Sequence, residues 1–325
     1  MTDARIDKLA GALVSLPTFT DDDLSLRLDR QRAHIRWLID QGITGDAGIL
    51  MVAGGYGEGY YLEDDELFAL IDTLMDEAGG KVPTMVGIFD LNVRKATRRA
   101  KYAADAGIDF LELGLPHYSC PSEDDVYIFT KHINDNADIG IMLYNNYWAT
   151  PPPGFEITRG LIERMTELEH VVGFKWSSAS AAHYVGILRL FADQFAFMDN
   201  GMANSLGQRH GMTGFVDFYG NVAPRLSLKK LELIREEHYD ELDDLLYALH
   251  FDAENRLTTA EGAPAFASVA DGVFGRLRWR LMGLETGPNF PAQAQPSQEY
   301  IDHTKRVIAE SGIMEWVDWD PAILE

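Results

Sequence analysis

The stretch Val171-Val172-Gly173-Phe174-Lys175-Trp176-Ser177-Ser178 decides the fold. It is a short run of β-branched and apolar residues that ends in a lysine. Such a run predicts a strand buried in a parallel sheet, where lysine is rarely tolerated. An ammonium set in an apolar wall carries a large desolvation cost, which favours the neutral amine. A neutral amine at the C-terminal end of a strand attacks carbonyls and forms a Schiff base. The plainer reading is a lysine that marks the strand's exit into solvent, and this stretch alone leaves both open.

Outward from that strand the chain alternates. Strands are predicted near 11–17, 48–53, 83–89, 109–113, 139–144, 171–175, 195–198 and 213–218. Amphipathic helical stretches lie near 22–41, 64–78, 92–106, 122–136, 157–168, 179–192 and 201–210. In 92–106 the residues Val93, Ala96, Ala100, Ala103 and Ala104 form one stripe, with Arg94, Lys95, Arg98, Arg99 and Lys101 opposite. Eight short strands, each followed by a helix, predict an α/β fold of the (β/α)8 TIM-barrel type. A doubly wound open sheet is the alternative, weakened by the lack of a Gly-x-Gly-x-x-Gly turn after the first strand. Residues 224–258 and 262–283 then predict helices, followed by a Gly/Pro-rich stretch and a last helix near 298–312. The expected organisation is a barrel over 1–223 and a C-terminal helical extension over 224–325 packed on it.

Composition narrows the function. The 325 residues carry 28 Lys+Arg against 51 Asp+Glu, a net charge of -23. That surface repels nucleic acid and anionic membrane, so neither is an expected partner. The single cysteine, Cys120, excludes an internal disulfide, and the N-terminus lacks a signal-peptide pattern. A cytoplasmic location is expected. No His/Asn pattern supports Cys120 as a nucleophile. His117 and His210 lie in no metal-ligand spacing, so no metal is expected.

In a barrel the chemistry sits where strands end. Three ends stand out: Ala53-Gly54-Gly55-Tyr56-Gly57-Glu58, Tyr144-Asn145 and Lys175. With the loop Pro116-His117-Tyr118-Ser119-Cys120-Pro121-Ser122 and the stretches Gly211–Val216 and Asn221–Pro224, they carry a resemblance over nearly the whole chain. The chain resembles the Schiff-base aldolases and dehydratases related to N-acetylneuraminate lyase and dihydrodipicolinate synthase. The resemblance implies Lys175 as the imine-forming residue and Tyr144 as the proton shuttle. It implies a carboxylate site at Gly54, Gly55, Tyr56 and Gly57, with Val216 on the eighth strand beside it. The glycines would aim backbone N–H groups at that carboxylate. It further implies a small-molecule 2-oxo acid substrate, no cofactor, and a homotetramer in which Tyr118 reaches a neighbouring subunit's site. The competing readings are a core tyrosine for Tyr144, a plain turn for the glycines, and a surface loop for Tyr118. Glu58 is expected to bond backbone groups within its own loop.

Departures from the family pattern set the limits. Gly55 and Tyr56 replace two threonines, one of which relays protons. A glycine at the first position also occurs in the family's 5-dehydro-4-deoxyglucarate dehydratases. Ala149 stands where dihydrodipicolinate synthases carry a substrate-gripping arginine, so that synthase activity is not expected. Tyr56, Trp148 and Trp176, with Tyr60 and Tyr147 as further candidates, predict an aromatic pocket mouth; some of these rings could instead point into the helical layer. Three functions follow: a lyase that makes or breaks a C–C bond through the imine, a dehydratase or hydratase using the same imine, and an inactive ligand-binding barrel.

Overall fold

The apolar runs become eight parallel strands in a closed barrel: β1 Gly11–Ser15, β2 Gly48–Val52, β3 Thr84–Ile88, β4 Phe110–Leu113, β5 Gly140–Tyr144, β6 Val171–Trp176, β7 Ala196–Asp199 and β8 Gly214–Val216. β1 pairs with β8 and closes the ring. This computed structural model describes residues 4–118, 120–152, 154–201, 203–263, 270–291 and 293–324. Ser119 of the loop motif, Met202, and 264–269 of the expected helix 262–283 lie outside the described residues. The predicted barrel is the observed one, with C-terminal helices following it.

Side-chain alternation divides each strand between two cores. Leu13, Ile49, Met51, Met85, Phe110 and Met142 fill the barrel interior. Leu111, Leu143, Phe174, Trp176 and Phe197 face the helical layer. β6 is offset from this rule at one point. Ile141 pairs with Val171 but Met142 pairs with Gly173, so Val172 is an inserted residue. The bulge sends Lys175 inward and Phe174 and Trp176 outward. Gly173 is required there, because a Cβ would stand 2.6 Å from the Ala196 carbonyl oxygen and 2.7 Å from Leu9 Cδ2. Leu9 is the floor of the interior core and follows a short helix, Ala4–Lys8, that the sequence pattern did not reveal.

Two helices differ from expectation for local reasons. The helix predicted from 22 begins at Leu28, because the Asp21 amide donates to the Ser25 carbonyl at 2.9 Å and Leu24 takes a φ of 70°. The helix predicted over 224–258 is divided into Pro224–Arg235, Tyr239–Leu246, a π-turn Tyr247–Phe251 and Asp252–Thr258. The first break falls at Glu237, whose φ is 57°. Helical π-turns often occur at functional sites, and this one brings His250 to the mouth of the barrel.

Gly173→Ala is expected to lower stability by roughly 1–3 kcal/mol through overpacking at the floor. Urea unfolding of the variant against wild type measures it.

Candidate active site

Lys175 is 5 % exposed and projects into the barrel. The wall around it is not purely apolar. Glu112 of β4 is fully buried, and its Oε2 and Oε1 lie 3.2 and 3.4 Å from Lys175 Nζ. Burial pushes the Glu112 carboxyl up, with the lysine charge pulling against it. The ammonium also stands 3.9 Å from the centre of the Tyr144 ring. Burial raises the Tyr144 phenol well above its ordinary value, and the charges of Asp271 and Glu112 add to this. Tyr144 therefore holds its proton at neutral pH. Its hydroxyl accepts a 3.4 Å hydrogen bond from Asn200 Nδ2.

These groups open onto a cavity of about 180 Å³ at the C-terminal end of the strands. Of the residues expected at the site, Gly55, Tyr56, Tyr144, Trp148, Lys175 and Val216 line it. Trp148 meets the Tyr144 ring edge-on at 5.9 Å. Trp176 does not line the cavity, which corrects the expectation for that ring. It is fully buried on the outer side of β6, 5.9 Å from the Phe197 ring, because strand parity turns it away from Lys175. Tyr60 and Tyr147 also lie outside the cavity. Tyr60 packs on Tyr61 at 4.8 Å, and Tyr147 packs on Trp148 at 5.0 Å. Tyr118 is 85 % exposed and is not one of the residues that line this cavity.

The glycine-rich turn divides by task. Gly54 and Gly57 lie beneath the lining. A Cβ on Gly57 would stand 2.8 Å from the Leu16 carbonyl oxygen, and one on Gly54 would stand 2.7 Å from Ser15 Oγ. Thr18 Oγ1 ties the turn down by donating to the Gly57 carbonyl at 2.6 Å. Gly55 serves another purpose. A Cβ there would stand 3.0 Å from Asp271 Oδ2, so the missing threonine side chain leaves room for a carboxylate from the helix Ala270–Leu281. Asp271 keeps surface open to the cavity, yet burial is the strongest influence on its carboxyl and raises it, with Lys175 opposing.

Glu58 is structural, as expected, but its partners are not backbone groups of its loop. Arg276 Nε donates to Oε2 at 2.8 Å and Gln293 Nε2 donates to Oε1 at 2.7 Å. Arg276 also donates to the carbonyls of Thr18 and Thr286, at 3.1 and 2.7 Å. Tyr56 packs on Phe218 at 5.2 Å and on Trp279 at 5.9 Å. The C-terminal helices are thus bolted to the turn, and they roof the cavity with His250, Glu254, Asp271 and Arg278. Burial lowers His250 to about 4, so its ring is neutral near pH 7. Burial opposes the ionisation of Glu254, but Arg278 Nη1 at 2.8 Å outweighs it and holds the carboxyl below its ordinary value.

The strand exits are tied together beneath this roof. Asn145 Nδ2 donates to the Ser177 carbonyl at 2.7 Å, and its Oδ1 accepts from the Ile157 amide at 2.8 Å. Ser177 Oγ donates to the Asn145 carbonyl at 3.0 Å, so it is occupied in this tie and lines no part of the cavity. At the end of β7, Asp199 accepts from the amides of Gly201 and Asn204 and from the Tyr184 hydroxyl. It thereby fixes the turn that carries Asn200.

The model of the dihydrodipicolinate synthetase family matches residues 8–249. The chain belongs to the dihydrodipicolinate synthetase family. Its relatives include the 4-hydroxy-tetrahydrodipicolinate synthase of Methylobacterium radiotolerans, 30% identical over 228 residues, which are 70% of this chain and 73% of that one. The enzyme of the same description from Methanothrix thermoacetophila is 28% identical over 241 residues, 74% of this chain and 79% of that one. A chloride-inhibited dihydrodipicolinate synthase from Acinetobacter baumannii, solved with pyruvate, superposes with a TM-score of 0.80 at 18% identity, covering 94% of this chain and 99% of that one. A sialic acid aldolase from Ruminococcus gnavus, with its catalytic lysine mutated, gives 0.78 at 17% identity over 98% and 100%. At such identities the superpositions establish the barrel alone. Members of the dihydrodipicolinate synthetase family are class I, Schiff-base lyases that act on small 2-oxo acids, and this protein is an enzyme of that class. The family match ends at residue 249, and all four roof residues lie beyond it.

Seven lining or pairing residues escaped the sequence reading: Glu112, Asn200, Phe218, His250, Glu254, Asp271 and Arg278. Glu112 alone left a signal. It is a lone charge in Phe110-Leu111-Glu112-Leu113, the same anomaly that singled out Lys175.

Burial raises the Glu58 carboxyl and Arg276 opposes this, so Arg276→Met leaves a buried acid without its guanidinium. A loss of about 3–5 kcal/mol is expected, measured by chemical unfolding. A second outcome concerns pH. Burial pushes Asp199 up to about 6 from an ordinary 3.8. The folded chain then binds the extra proton between those values, so the stability tied to Asp199 is full below about pH 4 and is lost as pH rises through 6. Asp199→Asn removes this dependence. Its stability is expected to fall less than that of wild type between pH 4 and 7, by up to about 3 kcal/mol, as urea unfolding at each pH measures.

Proposed function

We propose that the protein forms a Schiff base between Lys175 and pyruvate or another 2-oxo acid, and uses it for reversible aldol cleavage or condensation. The observation that carries this reading is a lysine amine buried at the cavity floor, beside a phenol that keeps its proton. The iminium is an electron sink that weakens the C3–C4 bond or acidifies C3. Tyr144, steadied by Asn200, moves protons between the substrate oxygen, the nitrogen and solvent. Gly55 and Tyr56 offer the wall against which the substrate carboxylate rests.

The synthase reaction named for the relatives is not the one proposed. Ala149 is exposed and offers no cation for a second substrate's carboxylate, while Trp148 and Tyr56 present rings instead. An aldehyde with an apolar or ring-bearing end suits that wall. One observation favours a second reading. Asp271 beside Gly55 places an additional acid–base group in the cavity, and expulsion of water from a deoxy sugar acid needs such a group. Tyr118, exposed on the loop after β4, suits a homotetramer in which it completes a neighbouring subunit's site.

Borohydride trapping with pyruvate, read by peptide mass, tests the imine. A reduced adduct on Lys175, absent from Lys175→Ala, is the expected result. No adduct at high pyruvate with a folded wild-type protein overturns the reading for pyruvate. Product analysis then separates the two reactions: pyruvate plus an aldehyde for aldol cleavage, a new oxo acid without an aldehyde for dehydration.

A further inference from the structure

We propose that Glu112 is the proton-exchange partner of Lys175, taking the ammonium proton before attack and returning it to drive out water as the imine forms. The inference rests on the Schiff-base reading and assigns that site a further catalytic residue.

Glu112 lies on β4, two strands from Lys175, yet both its oxygens are within 3.4 Å of Nζ. No other carboxylate is within ion-pair distance of Lys175 among the described residues. The carboxylate is sealed from solvent, and among the described residues Lys175 is its side-chain donor. A carboxylate this deep costs stability unless it is paired, so its presence beside an apolar interior core of Leu, Ile, Val, Ala, Met and Phe calls for a function. Neutralisation by proton transfer relieves the cost: an acid beside an amine leaves no isolated charge behind. The groups that face the pair are Tyr144 from β5 and Asp271 from the helix Ala270–Leu281, while β3 and β5 otherwise present Met85 and Met142. Burial raises Glu112, which brings such an exchange within reach.

The steps balance. The ammonium gives one proton to Glu112, leaving a neutral amine and a carboxylic acid. Nitrogen attacks the keto carbon, the N–C bond forms and the C=O π bond opens. The oxygen takes a proton from nitrogen by way of the Tyr144 hydroxyl. Glu112 then protonates the carbinolamine hydroxyl, the C–O bond breaks, and water leaves. Nitrogen began with three hydrogens and ends with one. The iminium that remains faces the regenerated Glu112 carboxylate, so the net charge of the pair is zero at the start, after the first transfer and at the end.

Glu112→Gln keeps the shape and removes both roles, and the test uses two readouts on wild type and variant. The first is carbamylation of Lys175 by cyanate across pH 5–10, which needs only a free amine and no substrate. The second is the rate of borohydride-trapped imine with pyruvate. With its counter-charge gone, Lys175 in the variant is expected to carbamylate at a pH lower by one unit or more. With the acid gone, imine formation is expected to slow by roughly 10²-fold or more. Opposite movement of the two readouts is the signature, since a merely structural role moves both the same way or neither. Glu112→Asp is expected to recover part of the trapping rate. Circular dichroism and thermal unfolding verify that each variant is folded; should Glu112→Gln fail to fold, Glu112→Asp against wild type carries the same comparison. If wild type traps no pyruvate, the Schiff-base reading for pyruvate fails, and carbamylation alone decides the proton exchange. An unchanged carbamylation profile in a folded variant overturns the proposal.

Discussion

An ammonium and a carboxylate held 3.2 Å apart inside an apolar barrel are the constraint on which this structure turns. Neither charge is tolerable there alone, and together they require the walls around them to be rigid and correctly phased. The phasing comes from β6, where one inserted residue sets the parity that aims Lys175 at Glu112. The rigidity comes from Leu9 and Gly173 below, where no atom can be added, and from Asn145, which joins the exits of β5 and β6 from above. The reactive end of the barrel is therefore specified by its least reactive residues.

The barrel was legible because its signal is repeated. Eight apolar runs, each followed by an amphipathic helix, fix the fold even when single boundaries slip. Lys175 and Tyr144 were legible because a charged or polar residue at a strand end breaks an apolar pattern. Trp176 was misplaced for a physical reason: it is adjacent to Lys175 in sequence, and adjacent residues on a strand face opposite ways. Glu112 left the same signal as Lys175, a lone charge in an apolar strand, but their meeting depends on the inserted Val172, which the apolar pattern does not reveal. The roof was not legible. Helical periodicity in 224–283 announces a buried stripe without naming what it is buried against. Nothing in the spacing of Glu254, Asp271 and Arg278 marks them as facing a cavity.

Gly55 and Asp271 show how a fold can move a functional group without moving the site. The expected threonine is absent from the turn, and the vacated space is met by a carboxylate from the opposite end of the chain. A hydroxyl and a carboxylate differ in charge and in proton affinity, so the exchange changes what chemistry the wall favours while the backbone of the turn stays in place. Glu58 explains why it stays: Arg276, from the helix that delivers Asp271, and Gln293, from the loop after it, hold it in place.

The roof also imposes an order on the making of the site. All eight strands are complete by residue 216, whereas the side chains that cover the cavity begin at His250 and extend to Arg278. A chain emerging from the ribosome can close its barrel while the chamber above Lys175 is still open to water. During that interval the amine and its carboxylate partner stand at the bottom of a wet funnel, where a high local dielectric weakens every interaction described for them. The enclosure that makes the pair chemically distinctive arrives only with the last third of the polypeptide.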